Sequence, residues 1–309
     1  MSAFTSHQNS TIVRPKLLSA SLSAARAYFA VASRLVPEIA RRQAERLFTL
    51  PPRYAGRGRT AVDARREIVV SGKHSLAVWH AGSRSSPAVL LVHGWGGRGV
   101  QMSSFVEPLM ATGYRVVWFD HPGHGDSGNA SVALPDFVQA VQTLGVTHAP
   151  FAAAIGHSLG AAALGLALRS GLDLEKVVFV SPPASISEHT RKFAEMLGIT
   201  PTISDTMREH IEQRYGLRFA EIDRIEALSE LRLPALFVHD DDDVEVPFEH
   251  TLRLSRRMRD ARIIKTYGLG HYRLLRDASV VRAIVAFIDG DVSSVPAELP
   301  VLPRPAPIY

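Results

Sequence analysis

The 309-residue chain contains no cysteine. That excludes disulfides, thiolate metal sites and cysteine nucleophiles, and it leaves the redox compartment unstated. No apolar stretch reaches the roughly 20 uninterrupted residues that a membrane-spanning helix needs. A secretory leader is not expected at the start either. Arg26 and Arg34 interrupt the apolar region there, and charge is not gathered ahead of it. Acidic residues are scarce in the first 62 positions. Ten Lys and Arg face only Glu38 and Glu45, a net of +8, so residues 63–309 carry −3 of the +5 total. The basic character therefore belongs to one segment, and it gives no ground for a general nucleic-acid surface.

What is present is an ordinary globular composition, 46% hydrophobic and 21% charged, in a chain long enough for one large α/β core. Short apolar runs at 67–70, 75–80, 88–92, 115–119, 151–155, 176–181, 235–239 and 262–265 read as strands. Those from 88 onward alternate with helical patterns. That alternation predicts an α/β fold, a mostly parallel central sheet with helices on both faces and right-handed crossovers.

The most informative run is Ala152 to Ala161. Gly156-His157-Ser158-Leu159-Gly160 follows a strand-like segment and precedes an Ala/Leu-rich helical one. In that context G-x-S-x-G is a nucleophile elbow, a sharp turn that holds a serine hydroxyl above a sheet edge. A serine is a poor nucleophile until a histidine takes its proton and a carboxylate orients that histidine. Downstream, strand 235–239 ends in Asp240-Asp241-Asp242-Asp243, then Val244-Glu245-Val246-Pro247. The following strand runs into Gly270-His271. The order is Ser158, an aspartate near 243, then His271, with Asp241 and Asp242 as competing acids. A fourth part lies at 93–97, His93-Gly94-Trp95-Gly96-Gly97, directly after the apolar strand 88–92. Its glycines let backbone approach a developing oxyanion, and the expected donors are the N–H groups of Trp95 and Leu159.

These segments, together with Asp120-His121-Pro122-Gly123-His124-Gly125-Asp126-Ser127, make the chain similar to serine hydrolases of the α/β-hydrolase superfamily. The likeness is to its bacterial esterase and lysophospholipase-like members, and the matching pieces span about residues 67–289. The resemblance implies Ser158, Asp243 and His271 as catalytic residues, Trp95 and Leu159 as the oxyanion hole, and His93, Gly94, Gly156, His157 and Gly160 as its support. The usual spacing in the family, an acid four residues before the proline, selects Asp243. One departure is that family members commonly carry His-Gly where this chain has His239-Asp240. The implied activity is cleavage of a small-molecule carboxylic ester by a cytoplasm-facing enzyme. Acyl transfer, thioester hydrolysis and C–C bond hydrolysis by the same triad are alternatives. A non-catalytic binding member of the fold is a more distant one.

No cofactor and no metal are expected. Four consecutive aspartates lack the alternate spacing and glycine of a calcium loop. His93, His121, His124 and His157 do not have helical metal-ligand spacing, and are read as side chains that hydrogen-bond the loops around the serine.

Domain organisation follows from composition. Residues 1–62 form a basic helical extension, 63–183 the first part of the core, 184–232 a helical cap, 233–289 the second part of the core, and 290–309 a Pro-rich tail with a Pro300-x-x-Pro303 pattern. In the extension, Leu18, Leu22, Phe29, Val36, Ile39, Ala40 and Leu47 gather on one side of a helical wheel over 16–48. Two readings follow: helices packed on the core or on a partner subunit, or a peripheral contact with a membrane surface.

Overall fold

The computed structural model describes residues 15–52, 62–291, 296 and 298, with backbone only for 15–21. The first residues, most of the Pro-rich tail and its Pro300-x-x-Pro303 pattern lie outside the described residues. Eight strands form one sheet: β1 Arg65–Ser71, β2 His74–Ala81, β3 Ala88–Val92, β4 Arg115–Phe119, β5 Phe151–His157, β6 Leu174–Val180, β7 Ala235–Asp240 and β8 Ala261–Thr266. Their order is β1-β2-β4-β3-β5-β6-β7-β8. Strands β1 and β2 pair antiparallel, as do β2 and β4, and every pairing from β4 through β8 is parallel.

The helices are α1 Pro15–Leu35, α2 Pro37–Thr49, α3 Val106–Ala111, α4 Leu134–His148, α5 Leu159–Arg169, α6 Ile186–Leu197, α7 Pro201–Tyr215, α8 Phe219–Ile222, α9 Glu249–Ser255, α10 Gly270–Arg273 and α11 Ala278–Asp289. Strands β3 and β7 are buried along their whole length. That burial is why they read as unbroken apolar runs rather than alternating ones. Alternate strand residues feed two cores on opposite faces. Leu90, Val92 and Phe237 pack with Phe137 and Val141 of α4 and Leu164 of α5. Val89, Leu91 and Val238 pack with Val106 and Leu109 of α3 and Ile284 of α11. The last of these helices is capped by Asp277, whose carboxylate accepts from the Ser279 and Val280 amides, and it stops at Gly290 in the left-handed conformation.

The molecule divides into two compact units. The larger runs over Leu47–Ser187 and from Tyr215 onward, and holds the sheet. At the base of the insertion between β6 and β7, Asp223 accepts from the Ser185 hydroxyl at 2.8 Å and from the Ile186 and Ser187 amides. The smaller unit combines the N-terminal helices up to Arg46 with Glu188–Arg214, that is, most of α6 and α7. Within it Glu45 is the electrostatic hub. It meets Arg41 at 2.7 Å on its own helix, and His210 at 2.7 Å and Arg214 at 3.6 Å on α7. Phe29, Ala32, Ala40, Ala44, Ala194, Met207 and Ile211 are buried.

The helical pattern over 16–48 is interrupted at Pro37, where a kink or restart is expected from the sequence, and its apolar residues do not all share one buried face. The chain breaks at Val36, before Pro37, whose ring removes a helical donor. Helix α1 buries Phe29 and Ala32 and α2 buries the small Ala40 and Ala44, whereas Val36, Ile39 and Leu47 stay exposed.

Candidate active site

The parallel strands deliver their C-terminal ends to one edge of the sheet, and Ser158, Asp243 and His271 lie just beyond the ends of β5, β7 and β8. This is where ligand sites form in open α/β sheets. Ser158 sits between β5 and α5 with φ 52° and ψ −125°. A serine in that backbone region is strained, and strain of this kind costs on the order of 1–3 kcal/mol. The surrounding packing enforces it. The Ser158 N–H donates to the Val180 carbonyl of β6, and its own carbonyl accepts from Ala161 and Ala162 at the start of α5.

The strand-to-helix turn is tight on both sides. A Cβ at Gly160 would lie 2.3 Å from the His93 carbonyl oxygen and 2.6 Å from that of Val92. A Cβ at Gly94 would lie 2.9 Å from the Ser158 Cβ. The loop after β3 is thereby pressed against the serine. The Trp95 and Leu159 amides belong to the two backbone segments that meet at this contact.

His271 lies in α10, just beyond β8, and is buried. Its Nδ1 is 2.7 Å from Oδ2 of Asp243. Of the four aspartates, Asp243 is thus the one held against His271. Its other oxygen, Oδ1, accepts from the amides of Glu245 and Val246 at 2.9 and 3.0 Å. Burial alone would raise the Asp243 carboxyl. The hydrogen bonds from His239 and His271, the positive charge that His271 can carry and the Val246 amide outweigh it, and hold the group well below the usual carboxylate range. The elbow and the histidine loop are joined directly: the His157 ring donates from Nε2 to the His271 carbonyl at 2.9 Å.

The other three aspartates have separate partners. Asp241 pairs with Lys265 at 2.8 Å, and Asp242 accepts from the Gly268 amide at 3.0 Å. Asp240 is fully buried. Its Oδ2 accepts from the Thr266 hydroxyl at 2.7 Å and the Leu269 amide at 2.9 Å, and its Oδ1 from the Asp242 amide at 3.1 Å. The residue that departs from the family pattern therefore ties the acid loop to the histidine loop. Neighbouring His239, also fully buried, lies with Nε2 3.4 Å from Asp243 and 2.8 Å from the Val246 carbonyl, and with Nδ1 2.7 Å from the Thr251 hydroxyl. Neither His239 nor Asp240 was expected as a site residue from the sequence. The visible signal was the unusual His-Asp pair at the end of a buried strand.

Glu245 and Tyr272 were also missed, because they look like ordinary loop residues. Oε2 of Glu245 is 3.8 Å from Nε2 of His271 and accepts from the Tyr272 hydroxyl at 3.0 Å. Burial, reinforced by Glu245, pushes the Tyr272 phenol up, so the hydroxyl stays protonated as a donor.

The histidine cluster beside the serine is a neutral scaffold. His93 donates from Nδ1 to the Gly94 carbonyl at 2.7 Å and accepts at Nε2 from the His121 amide at 2.9 Å. His124 donates from Nδ1 to the Pro122 carbonyl and accepts at Nε2 from the Gly96 amide. Each ring uses one nitrogen as donor and one as acceptor, which assigns the uncharged tautomer. Burial drives the pKa of His93 down to about 4 and those of His124 and His157 down to about 3. His121 departs from the expected role: neither of its ring nitrogens has a hydrogen-bond partner among the described residues, and the ring instead stacks on Phe137 with centroids 3.8 Å apart, where burial lowers its pKa too.

Among the described residues, one group brings three metal-ligand-type side chains together: Glu67, His80 and His148, with ligand atoms within 4.8 Å of one another. It sits toward the opposite ends of these strands and is already engaged, with His80 Nε2 2.7 Å and Arg65 3.4 Å from the Glu67 carboxylate. No comparable group surrounds Ser158 among the described residues.

A family model for the alpha/beta hydrolase family matches residues 89–283. The chain is 25% identical over 220 residues to a Rhizobium rhizogenes protein named as a carbamate hydrolase, covering 57% of this chain and 82% of that one. It is 30% identical over 159 residues to a pimeloyl-[acyl-carrier protein] methyl ester esterase of Photobacterium profundum, covering 50% and 58%. Among solved structures, the Pyrococcus furiosus esterase Pf2001 shares the fold with a TM-score of 0.60 at 16% identity, over 77% of this chain and 98% of that one.

Proposed function

The chain belongs to the alpha/beta hydrolase family, and on that premise we propose that it is a serine esterase that cleaves a carboxylic ester through an acyl-enzyme intermediate. The observation that carries the proposal is the buried 2.7 Å contact between His271 Nδ1 and Asp243, on the same sheet edge as a serine held at positive φ. A carboxylate on Nδ1 leaves Nε2 of the imidazole as the free base.

In the proposed cycle the Ser158 hydroxyl attacks the ester carbonyl carbon while His271 Nε2 takes its proton. Asp243 stabilises the imidazolium without itself becoming protonated. The tetrahedral oxyanion is held by the Trp95 and Leu159 amides, each such donor being worth about 3 kcal/mol in the transition state. His271 returns the proton to the departing alkoxide, the alcohol leaves and the acyl group remains on Ser158. Water, deprotonated by His271, then attacks the acyl carbon, and the bond to the Ser158 oxygen breaks as His271 returns that proton to it, which releases the acid and restores the free enzyme. The ester-cleaving name of the Photobacterium relative supports an ester as substrate. Glu245, a carboxylate 3.8 Å from the base, favours a neutral substrate over an anionic one.

Labelling with a fluorophosphonate probe tests the nucleophile without knowledge of the substrate. The expected result is stoichiometric modification at Ser158, lost in Ser158→Ala together with several orders of magnitude in kcat and with the fold intact. Near-normal p-nitrophenyl ester hydrolysis by Ser158→Ala would overturn the proposal. Product analysis with added alcohols and amines separates hydrolysis from acyl transfer.

A further inference from the structure

The smaller unit carries an apolar surface that its own core does not use. On α1, Tyr28, Val31 and Leu35 are 44%, 57% and 74% exposed. Their spacing of three and four residues puts them on one side of the helix. Val36 and Ile39 continue the exposed apolar surface across the break into α2. The buried Ala32 and Phe29 border this stripe on one edge of α1, and the exposed side chains run on around the helix from there.

Charge borders this stripe asymmetrically. At 100° per residue, Arg34 falls beside Val31 on α1, and Arg46 falls beside Ile39 on α2. Both are exposed, and neither has an acidic partner among the described residues. The one exposed acid of the described part of this extension, Glu38, is neutralised by Arg41 and Arg42 at 2.9 and 2.8 Å. Residues 1–62 as a whole carry +8 while the rest of the chain carries −3. No helix of the described residues is long and apolar enough to cross a membrane.

We propose that α1 and α2 dock the protein on an anionic lipid surface, lying in its plane with Tyr28, Val31, Leu35, Val36 and Ile39 in the acyl boundary. Arg34 and Arg46 meet the phosphate and carboxylate headgroups. Apolar burial supplies the contact and the arginines select anionic lipid, because a long basic side chain can lay its stem along the apolar surface and keep its head in the headgroup layer. A second copy of the chain fits this surface less well. In a symmetric dimer the same patch meets itself, and the same unpaired arginines are brought together. The proposal rests on the extension alone and is independent of the triad.

The test is sedimentation of the full-length protein with vesicles of phosphatidylcholine, with and without 30 mol% phosphatidylserine (a composition chosen for the assay). Binding should require phosphatidylserine and weaken with added salt. One arginine near an anionic surface is worth roughly fivefold in partitioning, so Arg34→Gln with Arg46→Gln should lose about 30-fold. Leu35→Ser with Ile39→Ser should abolish binding. Both double variants should keep the wild-type thermal transition and wild-type hydrolysis of a soluble ester, since none of the four residues belongs to the unit that holds the sheet. Failure of the wild type to sediment would overturn the proposal, and so would binding that survives both double variants. A dimer in light scattering that Leu35→Ser/Ile39→Ser dissociates, with no vesicle binding, would assign the patch to a second copy instead. Loss of vesicle binding with retained fluorophosphonate labelling separates failure here from failure of the esterase proposal.

Discussion

Asp240 and Asp243 are buried carboxylates three residues apart, and the structure predicts that they fail in different ways. Asp240→Ala removes the acceptor for two buried donors, the Thr266 hydroxyl and the Leu269 amide, and for the Asp242 amide nearer the surface. A buried donor left without its partner costs about 1–3 kcal/mol. The two buried donors therefore sum to about 2–6 kcal/mol, with the low end reached if water enters the gap. Against a typical stability of about 5–15 kcal/mol this is a large fraction. Asp240→Asn retains one oxygen. Turned toward Thr266 and Leu269 it preserves both of those bonds and sacrifices the one to Asp242, a loss of about 1–2 kcal/mol.

Asp243→Asn should leave stability closer to wild type and instead reduce kcat/KM by roughly 10³–10⁴-fold, the scale set by the same change in another triad. Urea unfolding monitored by circular dichroism, paired with steady-state hydrolysis of a soluble ester, separates the two. If Asp240→Ala unfolds within about 1 kcal/mol of wild type, the bridge between the acid and histidine loops is not a structural element. Equal damage from Asn and Ala at 240 would refute the hydrogen-bond accounting itself.

Three further outcomes are expected. His93, His124 and His157 titrate at about 4, 3 and 3 in the folded protein but near 6.5 when unfolded. Between pH 4 and 6.5 the unfolded chain thus binds more protons, and stability must rise with pH; near pH 5 three such groups give a slope of about 4 kcal/mol per pH unit, and a slope below one proton in urea titrations at pH 5–6 would contradict the neutral scaffold. Glu245→Gln should lower KM for an ester with a free carboxylate on its acyl chain at least several-fold while changing kcat for a neutral ester little, which paired substrates in initial-rate assays would reveal. Gly160→Ala forces a methyl into the Val92 and His93 carbonyls, so it should destabilise by about 1–3 kcal/mol or more and depress kcat, and wild-type thermal melting in this variant would show that the turn has slack.

The fold was legible because its strands are of the kind that sequence reveals best. Strands β3 and β7 are buried at every position, so no polar residue interrupts them, and the helices between them are long enough to show their own period. The serine turn was legible for a different reason. A serine forced to positive φ, with Gly160 pressed on two carbonyls and Gly94 on the serine itself, tolerates almost no other residue types. The acid loop was harder. Four aspartates in a row are indistinguishable by composition, and family spacing alone pointed to the one that the structure sets against His271. What separates them is three-dimensional: β7 and β8 run side by side with Asp240 opposite Thr266. That register turns Asp240 inward to the neighbouring strand's hydroxyl and leaves the turn to carry Asp243 over His271.

The N-terminal helices show where a periodic pattern stops being informative. A helical wheel ranks side chains by hydrophobicity, and on that ranking Val36, Ile39 and Leu47 should be covered before Ala40 and Ala44. The structure buries the alanines. Two helices can approach closely only where their facing side chains are small, so the residues at the contact are chosen by the distance between backbones as much as by their transfer free energy. Within the smaller unit, ion pairs from Glu45 to His210 and Arg214 set α2 against α7. Once that orientation is set by charge and by small residues, the larger apolar side chains on the remaining faces have nowhere in the unit to go. A unit that leaves Val31, Leu35 and Ile39 outside while burying Ala32, Ala40 and Ala44 is unfavourable for isolated helices in water. It becomes favourable when something else covers the outer face, and the two unpaired arginines beside it say what charge that cover carries.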